Sequence, residues 1–259
     1  MAAAFDLTRF HELLRTEVFG RTLIYEPAVG STMDLARDAA RHGAAEGAVA
    51  LADEQTAGRG RLGRSWITPP GVNLSCTLLL RPKTLPAFRQ LAMITPLAIV
   101  EAVEMLAGVR CDIKWPNDVQ VRGKKLAGVL IEAETDGAAP FALVGAGINV
   151  NFDPSAYDEI RDIATSLLAE TGREHDREAL LAEYLLRFER LYAGATDAEF
   201  VRDRWRARLV TLGQRVTATT PAGATGGIAE DVDEDGSLLI RTDAGALVTI
   251  EAGDVTLRV

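Results

Sequence analysis

Two cysteines in 259 residues are too few for a disulfide framework in a chain of this size, and neither Cys76 nor Cys111 belongs to a CxxC or Cys/His cluster. A reducing cytoplasm is the expected home. Histidine is almost as scarce: His11, His42 and His175 lie outside every motif, so no Ser-His-Asp or Cys-His arrangement is recognisable. The start, MAAAFDLTRF, lacks the basic and then apolar regions of a secretory signal. The longest apolar run, LAMITPLAIV at 91–100, contains Thr95 and Pro96 and stops at Glu101, about half a bilayer-spanning length, so no membrane span is expected. Basic residues are outnumbered, 28 Lys and Arg against 37 Asp and Glu, giving a formal net charge of -9. General nucleic-acid affinity, which comes chiefly from Lys and Arg neutralising phosphates, is not expected, although a local basic loop can still hold a small anion.

With 47% hydrophobic and 25% charged residues, the chain has the composition of a globular protein able to bury a real core. It shows no repeat, low-complexity segment or long linker. Ser31 and Thr32 precede MDLARDAARHG, where Met33, Ala36 and Ala40 share a helical face and Gly43 supplies a left-handed stop. A strand is expected at 48–55. From Val72 to Leu80 apolar residues alternate with Asn73, Ser75 and Thr77, the period of a strand with one buried face. A helix signal covers 87–107, interrupted by Pro96 and closed by Gly108. The stretch 109–151 reads as a β-meander with turns at Arg122-Gly123 and Asp136-Gly137. A helix follows at 177–192, and another begins at Thr196, which forms a capping box with Glu199, and runs to Gly213. After it come only short strand-like runs, which predict a small all-β barrel appended to an α/β domain. The expected domains are 1–212 and 213–259.

Three segments carry chemistry. Gly58-Arg59-Gly60-Arg61-Leu62-Gly63-Arg64-Ser65-Trp66 packs three glycines and three arginines into seven consecutive positions. Glycines let backbone amides approach a ligand, and arginines present forked donors to phosphate oxygens. The segment suits a loop closing over a nucleotide or acyl phosphate; composition alone equally permits an exposed RG-rich loop, against which the terminal tryptophan argues. Lys114-Trp115-Pro116-Asn117-Asp118 is followed by Lys124-Lys125-Leu126-Ala127-Gly128. Each is readable as turn chemistry or a solvated strand end. On adjacent strands, however, they could direct an amide, a carboxylate and an ammonium into one pocket. Gly145-Ala146-Gly147-Ile148-Asn149-Val150-Asn151 ends an apolar strand, where small residues either permit close backbone packing or leave space for a ligand.

In this order and spacing, GRGRLGRSW, KWPNDV, KLAGVLIE and GAGINVN resemble the motif set of the biotin protein ligase family, and the likeness extends from about residue 22 onward. The resemblance implies an α/β (α+β) fold: a mixed sheet with flanking helices, similar to class II aminoacyl-tRNA synthetases, plus a C-terminal SH3-like β-barrel. It implies that Ser31, Thr32 and Gln55 bond the ureido ring of biotin, with backbone at Gly58, Arg59 and Gly60 completing the contact. Arg61 and Lys125, the catalytic pair, would hold the biotin carboxylate and the phosphate that it attacks. Arg64 would bind phosphate and Trp66 cover the biotinyl chain, while Asn117, Asp118 and Asn149 lie on the nucleotide side. Gly128, Gly145 and Gly147 would line the biotin slot. Met33 also falls among the implied biotin-binding residues, at a place where many relatives have asparagine.

The implied reaction makes biotinyl-5′-AMP and pyrophosphate from biotin and ATP, then transfers biotin to a lysine of a biotin carboxyl carrier domain of acetyl-CoA or a related carboxylase. No protein nucleophile is needed. Mg²⁺ would be held mainly by phosphates, with no protein metal site. A monomer or weak homodimer is expected, with no nucleic-acid or membrane partner. A lipoate ligase shares the adenylate strategy; the full arginine-glycine motif and the β-domain favour biotin. A biotin-responsive DNA-binding repressor is disfavoured, because only about thirty residues precede Ser31-Thr32 and they are not basic.

Overall fold

The computed structural model describes residues 3–82, 84–134, 140–194, 198–221, 223–251 and 253–257. Seven strands form a mixed sheet: β1 (Leu23–Val29), β2 (Val49–Gln55), β3 (Leu74–Leu80), β4 (Asp112–Lys114), β5 (Asp118–Val121), β6 (Lys124–Glu134) and β7 (Phe141–Ile148). Their order is β1-β2-β3-β7-β6-β5-β4. Only β1 and β2 run parallel, joined through α2 (Thr32–Arg41); every other neighbouring pair is antiparallel. The expected meander is present. Arg122 (φ 51) and Gly123 (φ 80) turn the chain between β5 and β6 with both residues left-handed, as a two-residue hairpin demands. The expected Asp136-Gly137 turn lies outside the described residues.

On one face of the sheet, Met33, Ala36 and Ala40 of α2 pack with Ala50, Leu79, Phe141 and Leu143. On the other lies the main core, built by α3 (Leu85–Ala107) and α5 (Arg177–Ala193), with α1 (Leu7–Leu13) and α6 (Ala198–Arg206) packed against them. The alternation along β3 predicts one buried face, yet all seven of its residues are buried, because α2 covers Thr77 and Leu79 while the main core covers Leu78 and Leu80. Polarity here marks a packed hydrogen-bonding surface rather than solvent.

Pro96 does not interrupt α3, which is continuous from Leu85 to Ala107. Thr95 Oγ1 donates to the Leu91 carbonyl one turn back at 2.7 Å, and packing along the whole helix outweighs the bond that proline removes. The stretch Ala87–Ala107 is long and apolar enough to cross a membrane by length and composition, but most of it is buried within the fold. The last helix ends at Arg206 rather than Gly213, because Leu209 then pairs with Ile113 at the edge of the large sheet. Thr196 and its capping box lie outside the described residues.

A second sheet of five antiparallel strands, of the SH3-like kind, comprises β8 (Arg215–Thr220), β9 (Gly223–Val232), β10 (Leu238–Arg241), β11 (Leu247–Ile250) and β12 (Asp254–Leu257). It is joined to the first through Trp115, which is 2% exposed and donates its indole N–H to the Gly236 carbonyl at 2.9 Å. At the other end of the fold, Arg177 and Asp53 form a buried ion pair (2.6 Å). Arg177 also donates to the Ala3 carbonyl (2.8 Å), and Asp53 accepts from Phe5 N and Tyr25 Oη (3.1 and 2.6 Å), so this pair fastens the N-terminal segment to β1 and β2.

Candidate active site

The site lies on the α2 face of the large sheet, beyond the end of that helix. Ser31 caps α2, its hydroxyl accepting from Met33 N at 3.3 Å. The N–H and Oγ1 of Thr32 both donate to Gln55 Oε1 (2.9 and 3.1 Å), and Thr77 Oγ1 donates to Thr32 Oγ1 (2.9 Å). Gln55 Nε2 continues the chain to Thr68 Oγ1 (3.4 Å), which meets Ser75 Oγ (3.4 Å). Linked hydroxyls and a carboxamide from four segments thus offer donors and acceptors at one end of a slot, the equipment for a neutral polar ring.

The slot floor is glycine, and the reason is spatial. A Cβ at Gly145 would lie 2.8 Å from Met33 Sδ, and one at Gly147 would lie 2.5 Å from Trp66 Nε1. At Gly128 the obstacles would be Lys125 Nζ (3.0 Å) and Trp66 Cζ3 (3.3 Å). The register Gly128↔Gly147 and Leu130↔Gly145 sets these positions side by side on β6 and β7.

Over the floor runs the arginine-glycine segment, folded as a small hairpin. Trp66 N donates to Gly58 O (2.9 Å) and Gly60 N to Arg64 O (2.7 Å). Its tip turns at Leu62 (φ 56) and Gly63 (φ 73). A side chain at Gly58 would strike the Trp66 carbonyl, so this glycine lets the two legs close. Trp66 drops from the second leg onto the floor, where its indole N–H is buried with no hydrogen-bond partner among the described residues. With the indole so placed the cavity has only about 50 Å³, room for a few water molecules.

Lys125 stands where the slot opens. Its Nζ is 2.6 Å from Asp118 Oδ1 and 5.5 Å from the centre of the Trp66 ring. Its backbone is paired with 163–165 (Lys125 N to Ile163 O, 2.8 Å; Thr165 N to Lys125 O, 2.9 Å), which fixes where the ammonium emerges. Arg61 crosses from the hairpin to donate to Asn117 Oδ1 and to the carbonyl of Gly253, just before β12 of the second sheet, both at 3.0 Å. Beside it opens a second cavity of about 470 Å³, shared by Arg61, Arg64, Trp66 and Lys125 and walled by Ile160 and Ile163. An anion placed between the cavities meets Arg61 and Lys125, both of which line the two.

Ser31, Thr32, Met33, Gln55, Arg59 and Gly60 line the first cavity, as do Asn117, Gly128, Gly145 and Gly147. Gly58 and Asp118 stand behind this lining, in the hairpin leg and against Lys125. Asn117 lines the first cavity rather than the second, and its amide is spent on Arg61 and the Val129 carbonyl. Asn149 borders the second cavity, but its Nδ2 donates to Thr165 O (3.0 Å) and its Oδ1 accepts from Asn73 (3.4 Å). It braces the 159–165 wall. Sequence reasoning missed that wall and missed Asp34, which receives Arg59; neither carries a motif signal. Cys76 borders the first cavity, and burial pushes its thiol up to about 12, so it stays protonated and is no nucleophile.

The Biotin/lipoate A/B protein ligase family description matches residues 26–149, and that of the Biotin protein ligase C terminal domain matches residues 211–258. The chain is 38% identical over 250 residues to the bifunctional ligase/repressor BirA of Bacillus subtilis, covering 94% of this chain and 76% of that protein. It is 35% identical over 255 residues to the biotin--[acetyl-CoA-carboxylase] ligase of Mycobacterium tuberculosis, covering 93% of each. The Aquifex aeolicus biotin protein ligase in complex with biotin and ATP superposes with a TM-score of 0.78 at 32% identity, covering 92% of this chain and 99% of that one.

Proposed function

Because the chain belongs to the biotin/lipoate A/B protein ligase family, in which its relatives are biotin protein ligases, we infer roles for the residues around the two cavities from the chemistry of that ligation. The protein is a biotin protein ligase that uses ATP. A carboxylate oxygen of biotin attacks the α-phosphorus of ATP, the bond to the β-phosphate oxygen breaks, and pyrophosphate leaves. The ε-amine of a carrier lysine then attacks the acyl carbon of biotinyl-5′-AMP, loses a proton and expels AMP.

In our reading the ureido ring sits against Ser31, Thr32 and Gln55, and the valeryl chain runs over Gly128 and Gly147 under Trp66. The carboxylate emerges at Lys125. The ammonium of Lys125 and the guanidinium groups of Arg61 and Arg64 stabilise charge on the phosphate, so catalysis comes from positioning and preorganised charge. The nucleotide base takes the second cavity, against Ile160 and Ile163. Among the described residues no group of three or more His, Cys, Asp or Glu side chains is placed to hold a metal. Mg²⁺ would ride on phosphate oxygens and water, neutralising their charge. The acceptor is a biotin carboxyl carrier domain of acetyl-CoA carboxylase or a related carboxylase, met in the cytoplasm by a monomer or weak homodimer that does not bind nucleic acid.

The observation that carries this reading is the single slot with a hydrogen-bonding end at Thr32 and Gln55, a glycine floor, and a cationic mouth at Lys125 and Arg61. Incubation with ATP, a carrier domain and either biotin or lipoate, read by intact mass, tests it. The carrier gains one biotinyl group and no lipoyl group. Gain of lipoyl alone would transfer the assignment to the lipoate branch.

A further inference from the structure

The hairpin over the slot is tied down at both rims. At one rim Arg61 meets Asn117, in the turn between β4 and β5 at the far edge of the sheet, and the Gly253 carbonyl. At the other, Arg59 reaches α2 and forms a fork with the carboxylate of Asp34: Nη1 to Oδ2 at 2.8 Å and Nη2 to Oδ1 at 2.7 Å. Asp34 sits in the first turn of α2, beside Met33 of the slot. The backbone bonds between Gly58 and Trp66 and between Gly60 and Arg64 make the two legs one body. Whatever holds Arg59 therefore limits how far the hairpin, and Trp66 with it, can lift from the glycine floor.

We propose that Asp34 is a positioning residue of the ligation: by gripping Arg59 it keeps the hairpin, and with it Trp66, closed over bound biotinyl-AMP. This rests on the ligase assignment. The Arg59 guanidinium also holds the Asp34 carboxyl below the usual carboxylate range, so the grip is present at neutral pH. A simpler role for Asp34 is local, through the partial positive charge at the start of α2 and its bond to Arg37 (2.8 Å), three residues on. The two roles differ in one respect: Arg37 is also held by Glu132 and Glu134, and its hydrogen bonds and ion pairs among the described residues go to Asp34 and these two carboxylates rather than to the hairpin.

The test measures release of biotinyl-AMP, formed in place from labelled biotin and ATP and chased with unlabelled biotin, from the parent chain and from Asp34→Asn, Asp34→Glu and Arg37→Gln. Side chains of Asp34 and Arg59 are 54% and 41% exposed, which limits the effect of a forked pair to about three- to fivefold in release rate. Asp34→Asn should release that much faster while its rate of pyrophosphate formation at saturating biotin and ATP stays within about twofold of the parent. Asp34→Glu, which keeps a forked acceptor, should fall nearer the parent, and Arg37→Gln should match it. Release from Asp34→Asn at the parent rate, from Asp34→Glu as fast as from Asp34→Asn, or from Arg37→Gln as fast as from Asp34→Asn would each overturn the proposal. A parent chain that forms no biotinyl-AMP would overturn the ligase assignment, and the proposal with it.

Discussion

Trp66 lies directly on Gly147: a methyl group added at residue 147 would stand 2.5 Å from the indole Nε1, closer than any real contact. The pair explains why the slot holds only about 50 Å³. If biotin takes this slot, as proposed, the indole must rise from Gly147 to admit it.

Gly147→Ala should therefore displace Trp66 permanently. Overpacking at such a site costs about 1–3 kcal/mol, and we expect biotin affinity to fall by at least about tenfold, equivalent to about 1.4 kcal/mol. Isothermal titration calorimetry with biotin checks this; an affinity equal to the parent's would show that biotin does not bind over Gly147.

The proposed ligand site requires the hairpin to act as a lid. Its amides should exchange hydrogen rapidly without ligand and slow when biotinyl-AMP fills the slot, since ligand contacts then offset the freedom of Gly58, Gly60 and Gly63. Equal exchange across 56–66 with and without saturating biotinyl-AMP would count against a lid.

Lys125→Ala should nearly abolish adenylate formation and leave the fold intact, because the ammonium faces the junction of the two cavities rather than the core. Loss of one charge-stabilising group costs about 3–4 kcal/mol of barrier. Pyrophosphate release near the parent rate, with an unchanged circular dichroism spectrum, would remove Lys125 from the mechanism.

Arg61→Gly deletes the link from the hairpin to Asn117 and the second sheet. The reactive intermediate should then escape and acylate accessible amines, so albumin added to the reaction should gain biotin. Albumin labelled no more than by the parent enzyme, with adenylate synthesis still active, would show that Arg61 does not retain the intermediate.

Asp53→Ala tests the fold rather than the site. It leaves the Arg177 guanidinium, 5% exposed, without its carboxylate, a change that costs about 3–5 kcal/mol. The urea midpoint should drop markedly; a midpoint within experimental error of the parent's would mean that solvent reaches Arg177.

Short-range patterns determined much of this. The order of strands and helices, the start of α2 at Ser31, the turn at Arg122-Gly123 and most of the residues that line the first cavity follow from periodicity, capping chemistry and four motifs, because each is a property of residues near one another in the chain. Polar residues on β3 and the proline in α3 misled because their environment is set by partners elsewhere in the chain: Thr77 is bonded to Thr32 of α2, Ser75 meets Thr68, and core packing carries the helix through Pro96. The same limit applies to the site. Asn149 stands in a nucleotide-side motif, yet its amide is committed to Thr165 and Asn73. Asp34 stands in no motif, yet receives Arg59 from 25 positions along the chain. Which residues carry donors and charge was written in the sequence; which partner each one meets was decided by the tertiary structure, since a hydrogen bond depends on distance and direction in space and residue spacing along the chain fixes neither.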